Sequence, residues 1–103
     1  MTKAEVLNIL KADLNLVFVR EPGLTAHLTQ VLNAAIGMIE REGVTFTKDG
    51  DEYTFSPEDS QLVVMYAAYL YRKRATDEPM PRMLRWALNN RVFSEKAGED
   101  DAT

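Results

Sequence analysis

The chain has 103 residues, of which 46% are hydrophobic and 27% charged, and its formal net charge is -4. That is enough for one compact domain and too little for two with separate cores, and the composition is far from that of a disordered chain. With no cysteine, disulfides, thiolate zinc sites and cysteine nucleophiles are excluded by inventory. The negative charge argues against a domain whose main work is gripping phosphates.

The N-terminus reads Met1-Thr2-Lys3-Ala4-Glu5, with charge ahead of any apolar run, so neither a signal peptide nor a membrane anchor is expected to begin here. Thr2 and Glu5 have the spacing of a capping box. A first helix is predicted from there, with Val6, Leu7, Leu10 and Leu14 on one stripe, ending near Leu14 where Asn15-Leu16-Val17-Phe18-Val19 breaks the rhythm. Glu21-Pro22-Gly23 is turn chemistry.

A second helix carries Leu24, Leu28, Val31, Leu32, Ala35, Ile36 and Ile39 on one face, and Gly43 is placed to end it. Val44-Thr45-Phe46-Thr47 and Tyr53-Thr54-Phe55 then flank a turn containing Asp49-Gly50, which predicts a short β-hairpin. An isolated hairpin is marginal in water, so its apolar side must rest on the helices or on another subunit.

Ser56-Pro57-Glu58-Asp59 starts a third helix, expected to run to about Ala75. Its middle, Leu62 to Tyr71, is apolar on every side, which means it is surrounded. The stretch is about half as long as a bilayer-spanning helix, so no membrane partner is expected. Arg72-Lys73-Arg74 closes it and Thr76-Asp77-Glu78-Pro79 forms a break. A fourth helix from about Pro81 has Met80, Met83, Leu84, Ala87, Leu88 and Val92 as its inward stripe, while Trp86 and Phe93 point elsewhere with Arg82, Arg85, Asn89 and Asn90. The expected architecture is mostly α: a four-helix domain, residues 1–97, with a short β-hairpin inserted between helices two and three. Residues 98–103 form an acidic tail expected to be disordered when free.

Chemistry is poorly supplied. His27 is the only histidine and has no cysteine beside it for a metal site or a catalytic pair. Ser56 serves as a cap, and Ser60 and Ser94 have no base in context. Asp49, Asp51 and Glu52 lack the spacing of a calcium loop. No catalytic, cofactor-binding or metal residue is therefore assigned, and the chain is not expected to be an enzyme. Arg72, Lys73, Arg74, Arg82, Arg85 and Arg91 bracket the turn between helices three and four. They cap a helix and solvate a face, contact nucleic acid, or meet an acidic partner. Arginine beside Trp86 and Phe93 is also the composition of interface cores, whereas a lone tryptophan in a small domain can equally fill its core.

The order of pieces resembles the head–tail connector (adaptor) proteins of long-tailed DNA phages and prophages. These pieces are the helix ending Ile39-Glu40-Arg41-Glu42-Gly43-Val44, the β insertion, the helix Leu62-Val63-Val64-Met65-Tyr66-Ala67-Ala68-Tyr69-Leu70-Tyr71-Arg72-Lys73-Arg74, and the closing Met80-Pro81-Arg82-Met83-Leu84-Arg85-Trp86-Ala87-Leu88-Asn89-Asn90-Arg91. The likeness covers residues from about 24 to 96, and the closing segment is its most specific part. It implies a non-catalytic subunit at the virion neck, made in the host cytoplasm, that forms a ring with copies of itself, commonly twelve-fold. Such a ring lies between the portal protein and the head-completion or tail proteins, with DNA passing through without specific binding. On this reading Arg82, Arg85, Trp86, Arg91 and Phe93, together with Tyr69, Asn89 and Asn90, make subunit or portal contacts, and residues 94–103 order on docking. Two rivals are a small helical DNA-binding regulator using the basic turn and an accessory or antitoxin-like binding module.

Overall fold

In a computed structural model describing residues 1–73 and 79–101, the side chains of 99–101 excepted, Ser56-Pro57 begins the helix to which the rest of the chain is fitted. The Asp59 N–H donates to Ser56 Oγ at 3.1 Å, and Glu58 and Asp59 lie in the positive first turn of α3 (Pro57–Lys73). Val63 and Ala67 are fully buried and Leu62, Val64, Tyr66 and Ala68 nearly so, as an all-round apolar helix demands. The cover comes chiefly from this chain: α1 (Lys3–Asp13) and α2 (Leu24–Arg41) pack against α3, and α4 (Arg82–Asp101) joins from another side. The expected end of helix three at 74–75 and the break at 76–78 lie outside the described residues.

The capping box forms as the spacing predicts: the Glu5 N–H donates to Thr2 Oγ1 at 3.2 Å, and the Thr2 N–H donates to Glu5 Oε1 at 3.3 Å. At the other end of α1, Asn15 takes a left-handed φ of 58°, which asparagine tolerates better than most residues. The Leu16 N–H then reaches Lys11 O at 2.8 Å and the Asn15 N–H reaches Ala12 O at 3.1 Å, the pair of bonds of a Schellman ending. Leu16 is thereby tucked against the core, and Val17, Phe18 and Val19 are turned out to solvent.

The hairpin is shorter and one step later than the Asp-Gly signal suggests. β1 (Thr47–Asp49) pairs antiparallel with β2 (Glu52–Thr54), with Asp49 opposite Glu52, so the two-residue turn is Gly50-Asp51. Gly50 alone has a positive φ, 66°, the placement of a turn that puts glycine first. Phe46 and Phe55 are buried beneath it and meet edge to face with centroids 5.2 Å apart. The hairpin thus rests on its own chain. Its far edge is partly covered too: the Met1 amino group donates to Phe55 O at 2.6 Å, and the Phe55 N–H donates to Met1 O at 2.8 Å.

Residues 44–46 do not pair with the second strand, because α4 has claimed Thr45. Arg91 donates from Nε to Asp59 Oδ1 at 2.7 Å, from Nη1 to Glu95 Oε2 at 2.6 Å and from Nη2 to Thr45 O at 3.3 Å. The Thr45 N–H donates to Glu95 Oε1 at 3.2 Å. One arginine and one glutamate therefore satisfy both backbone groups of Thr45 while tying α4 to the start of α3. Leu84 and Leu88 are buried on the same side of α4. Met83, read as part of this inward stripe, is instead 68% exposed: at 100° per residue, the face defined by Leu84, Leu88, Arg91 and Glu95 leaves it on the flank. The backbone of 98–101 continues α4, although acidic residues there sit at the negative end of the helix dipole; residues 102 and 103 lie outside the described residues.

The Arg91, Asp59 and Glu95 side chains are only 23%, 14% and 19% exposed, so removing one partner leaves charge poorly solvated. Asp59→Asn or Arg91→Met is expected to cost about 2–3 kcal/mol in denaturant unfolding, against a few tenths for Arg82→Met. The hydrogen bond from Arg91, followed by that from Thr45, holds the Glu95 carboxyl below its ordinary pKa. A depressed folded pKa contributes stability that is fully present above the unfolded value and lost as pH falls through the folded one. Unfolding free energy should therefore decline from about pH 5 to below pH 4, and Glu95→Gln should flatten that slope in a pH series of urea titrations.

Candidate functional site

α4 is apolar on two opposite faces, and only one is used by the domain. Successive residues turn by about 100°, so Met83, Trp86, Asn90 and Phe93, spaced three, four and three apart, form a line pointing away from Leu84 and Leu88. Trp86 is 64% and Phe93 74% exposed. Of the two roles open to Trp86, core filling is thus the one the structure does not give it. The molecule measures 50 × 33 × 18 Å, and its short dimension is less than two helix diameters of about 10–12 Å. In so thin a slab an outer helix has core on one side only.

The outward line borders two different concavities. On one side, a groove of about 410 Å³ between α3 and α4 is walled by Trp86, Ala87, Asn90 and Arg91 and floored by Leu62 and Met65, with Glu58 at its edge. Met65 also lines the neighbouring concavities toward α1, with Met1, Ile9 and Asp13, and toward the start of α4, with Tyr69, Arg72, Pro81 and Met83. It is the shared floor of an apolar face spanning three helices. On the other side of α4, Asn89 and Phe93 border a shallow depression with Glu42, Val92 and Lys96.

The residues singled out in the sequence are therefore divided. Trp86 and Asn90 belong to the Met65 groove, Tyr69 to its extension, and Asn89 and Phe93 to the opposite flank. Arg82 is exposed. Arg91 points into the domain, where its hydrogen bond to Asp59, followed by that to Glu95, raises its pKa against the effect of burial. Arg85 pairs with Glu42 at 3.5 Å and Arg72 with Asp13 at 3.9 Å, so three cations of the basic group face carboxylates of the same chain. Arg74 lies outside the described residues. His27 is half-buried with its ring 6.0 Å from that of Tyr71, and Asp49, Asp51 and Glu52 are exposed. Among the described residues no group of three His, Asp or Glu side chains is placed to hold a metal, and no helix is long and apolar enough to cross a membrane.

Sequence reasoning missed Met65, Ile9 and Phe18. Ile9 carried a signal, since it is apolar yet off the stripe of Val6 and Leu10. Met65 carried none, because within a uniformly apolar stretch nothing marks the residue that remains half-exposed. Phe18 was legible only as a break in rhythm, but it is 93% exposed, more than any other large apolar side chain described. In comparisons with known proteins, no family model, no curated protein and no solved structure matches the chain.

Proposed function

We propose that this chain is a non-enzymatic structural subunit of a tailed-phage particle. It is a head–tail connector that assembles with copies of itself into a ring between the portal and the head-completion or tail proteins. The observation that carries the assembly part is the outward apolar line of α4. Burying one such aromatic ring removes roughly 150–250 Å² from water, about 4–6 kcal/mol gross at the usual area coefficient, and in the monomer most of this is unrealised for Trp86 and Phe93. The total surface supports the same view. The chain exposes 6990 Å², whereas the scaling for a folded monomer of 11.7 kDa gives about 5,900 Å². The difference, about 1,100 Å², exceeds one partner's share, about 800 Å², of a standard interface.

The assignment to a phage neck rests on the likeness of the segments from 24 to 96, foremost the arginine–aromatic helix from Met80 to Arg91. Two unlike apolar flanks on one helix suit a ring, since head-to-tail assembly uses two complementary surfaces per subunit. The alternative, a DNA-binding regulator, would need the basic turn free to meet phosphates, and Arg72, Arg85 and Arg91 each have a carboxylate partner within the chain.

Because their side chains lie in solvent, Trp86→Ala and Phe93→Ala should leave the melting temperature of the monomer within about 2–3 °C of the parent. The same changes should weaken self-assembly or portal capture by tenfold or more, the range of an interface hot spot. Mass measurement in solution and portal pull-downs read both. Full assembly and capture by the Trp86→Ala, Phe93→Ala double variant would remove the reading, and a salt-sensitive gel shift in its place would favour the regulator.

A further inference from the structure

The turn between α1 and α2 holds its most apolar residues away from the domain. The Val19 N–H donates to Leu16 O at 3.2 Å, which sets Val17 and Phe18 at the tip of a closed turn. The Schellman ending at Asn15 fixes the base of that turn. Phe18 is therefore a presented knob, and ordering it on contact costs little additional entropy.

We infer that Phe18 is the donor half of a head-to-tail contact between copies of this chain. The Val17-Phe18 knob of one copy seats in the α3–α4 groove of the next, against Met65 and Trp86, with Arg20 of the first copy beside Glu58 of the second. The inference rests on the self-assembly part of the function proposed above and names the two surfaces involved. The groove, about 410 Å³, offers a thioether and an indole face, both favourable neighbours for a phenyl ring. Charge selects the orientation. Arg20 and Glu58 have no ion-pair partner among the described residues, and Arg20 follows Phe18 by two residues, about 7 Å of extended chain. An acidic rim thus meets a cation as the ring enters the apolar floor.

The knob does not serve its own groove. The pairing of Asp13 with Arg72 places the end of α1, and so the base of the turn, beside the C-terminal end of α3. Glu58 lies fourteen residues earlier, about 21 Å along the helix axis. The base of the turn and Glu58 stand at opposite ends of α3, and Phe18 is 93% exposed, so seating the ring with Arg20 beside Glu58 requires a second copy, and the contact repeats from copy to copy. A single phenyl knob covers far less than the roughly 800 Å² per partner of a stable interface, so the contact anchors a wider surface and strengthens when several copies are gathered.

The test places p-benzoylphenylalanine at position 18 of the full chain, mixes it with an isotope-labelled copy lacking the probe, and irradiates with and without portal. The expected result is a cross-link to labelled peptides containing Met65 or Trp86. Its yield should fall at least fivefold with Arg20→Glu in the probe-bearing copy and recover when Glu58→Lys is added to the labelled copy. Cross-links confined to the probe's own chain, to other surfaces or to the portal subunit would overturn the contact, as would no cross-link at all or a charge exchange without recovery. Phe18→Ser separates the two claims. Rings formed in full yield by that variant would remove this contact and leave the connector reading standing, whereas failure of the unaltered chain to assemble under any condition would remove both.

Discussion

Arg91 fixes the rotation of α4 about its own axis, and most of what the molecule presents to its surroundings follows from that angle. A helix with apolar residues on two faces has two ways to pack, with Leu84 and Leu88 inward or with Trp86 and Phe93 inward. Hydrophobic burial alone would favour the bulkier pair. The guanidinium decides otherwise, because its bonds to Asp59, Glu95 and Thr45 O can form only with that side of α4 turned to the domain. A nearly buried ion pair is a weak source of net stability and a strong source of specificity when its alternatives strand a charge. Here the alternative turns Arg91 and Glu95 out to water and leaves Asp59, whose side chain is 14% exposed, without its partner.

The same network explains why a basic residue beside tryptophan can be read in two ways from sequence. Arg85 and Arg91 are six residues apart and differ by about 120° around the helix; both engage carboxylates, but Arg85 remains at the surface with Glu42 while Arg91 is drawn in. Spacing distinguishes their directions. It does not reveal that Asp59, thirty-two residues earlier, waits opposite one of them. Long-range partners of this kind are invisible to periodicity, which reports only on neighbours within one element.

The architecture was nevertheless largely legible. The four helices, their order and the hairpin between helices two and three follow from capping residues, apolar spacing and turn glycines. Thr2 and Glu5, Ser56 and Pro57, and Gly43 each act where their chemistry says they should. The failures have local physical causes. The ladder stops at Thr47 because the backbone groups of Thr45 are held by α4, the turn falls at Gly50-Asp51 with its glycine first, and Met83 left the inward stripe because Leu84, Leu88, Arg91 and Glu95 set its direction. The exposed apolar face was half visible: Trp86 and Phe93 announced themselves as aromatics off the stripe, whereas the floor that Trp86 borders comes from Met65, whose exposure depends on how far apart two neighbouring helices stand.

The hold on Thr45 has a consequence for how such a molecule avoids growing in the wrong way. β1 is only three residues long, and an open strand edge invites pairing with any other extended chain. The amide and carbonyl of Thr45, which would otherwise lengthen the ladder with β2, are occupied by side chains, so the border ends at Thr47. A border this short offers a foreign strand little to pair with, and crowding many copies together need not seed fibres.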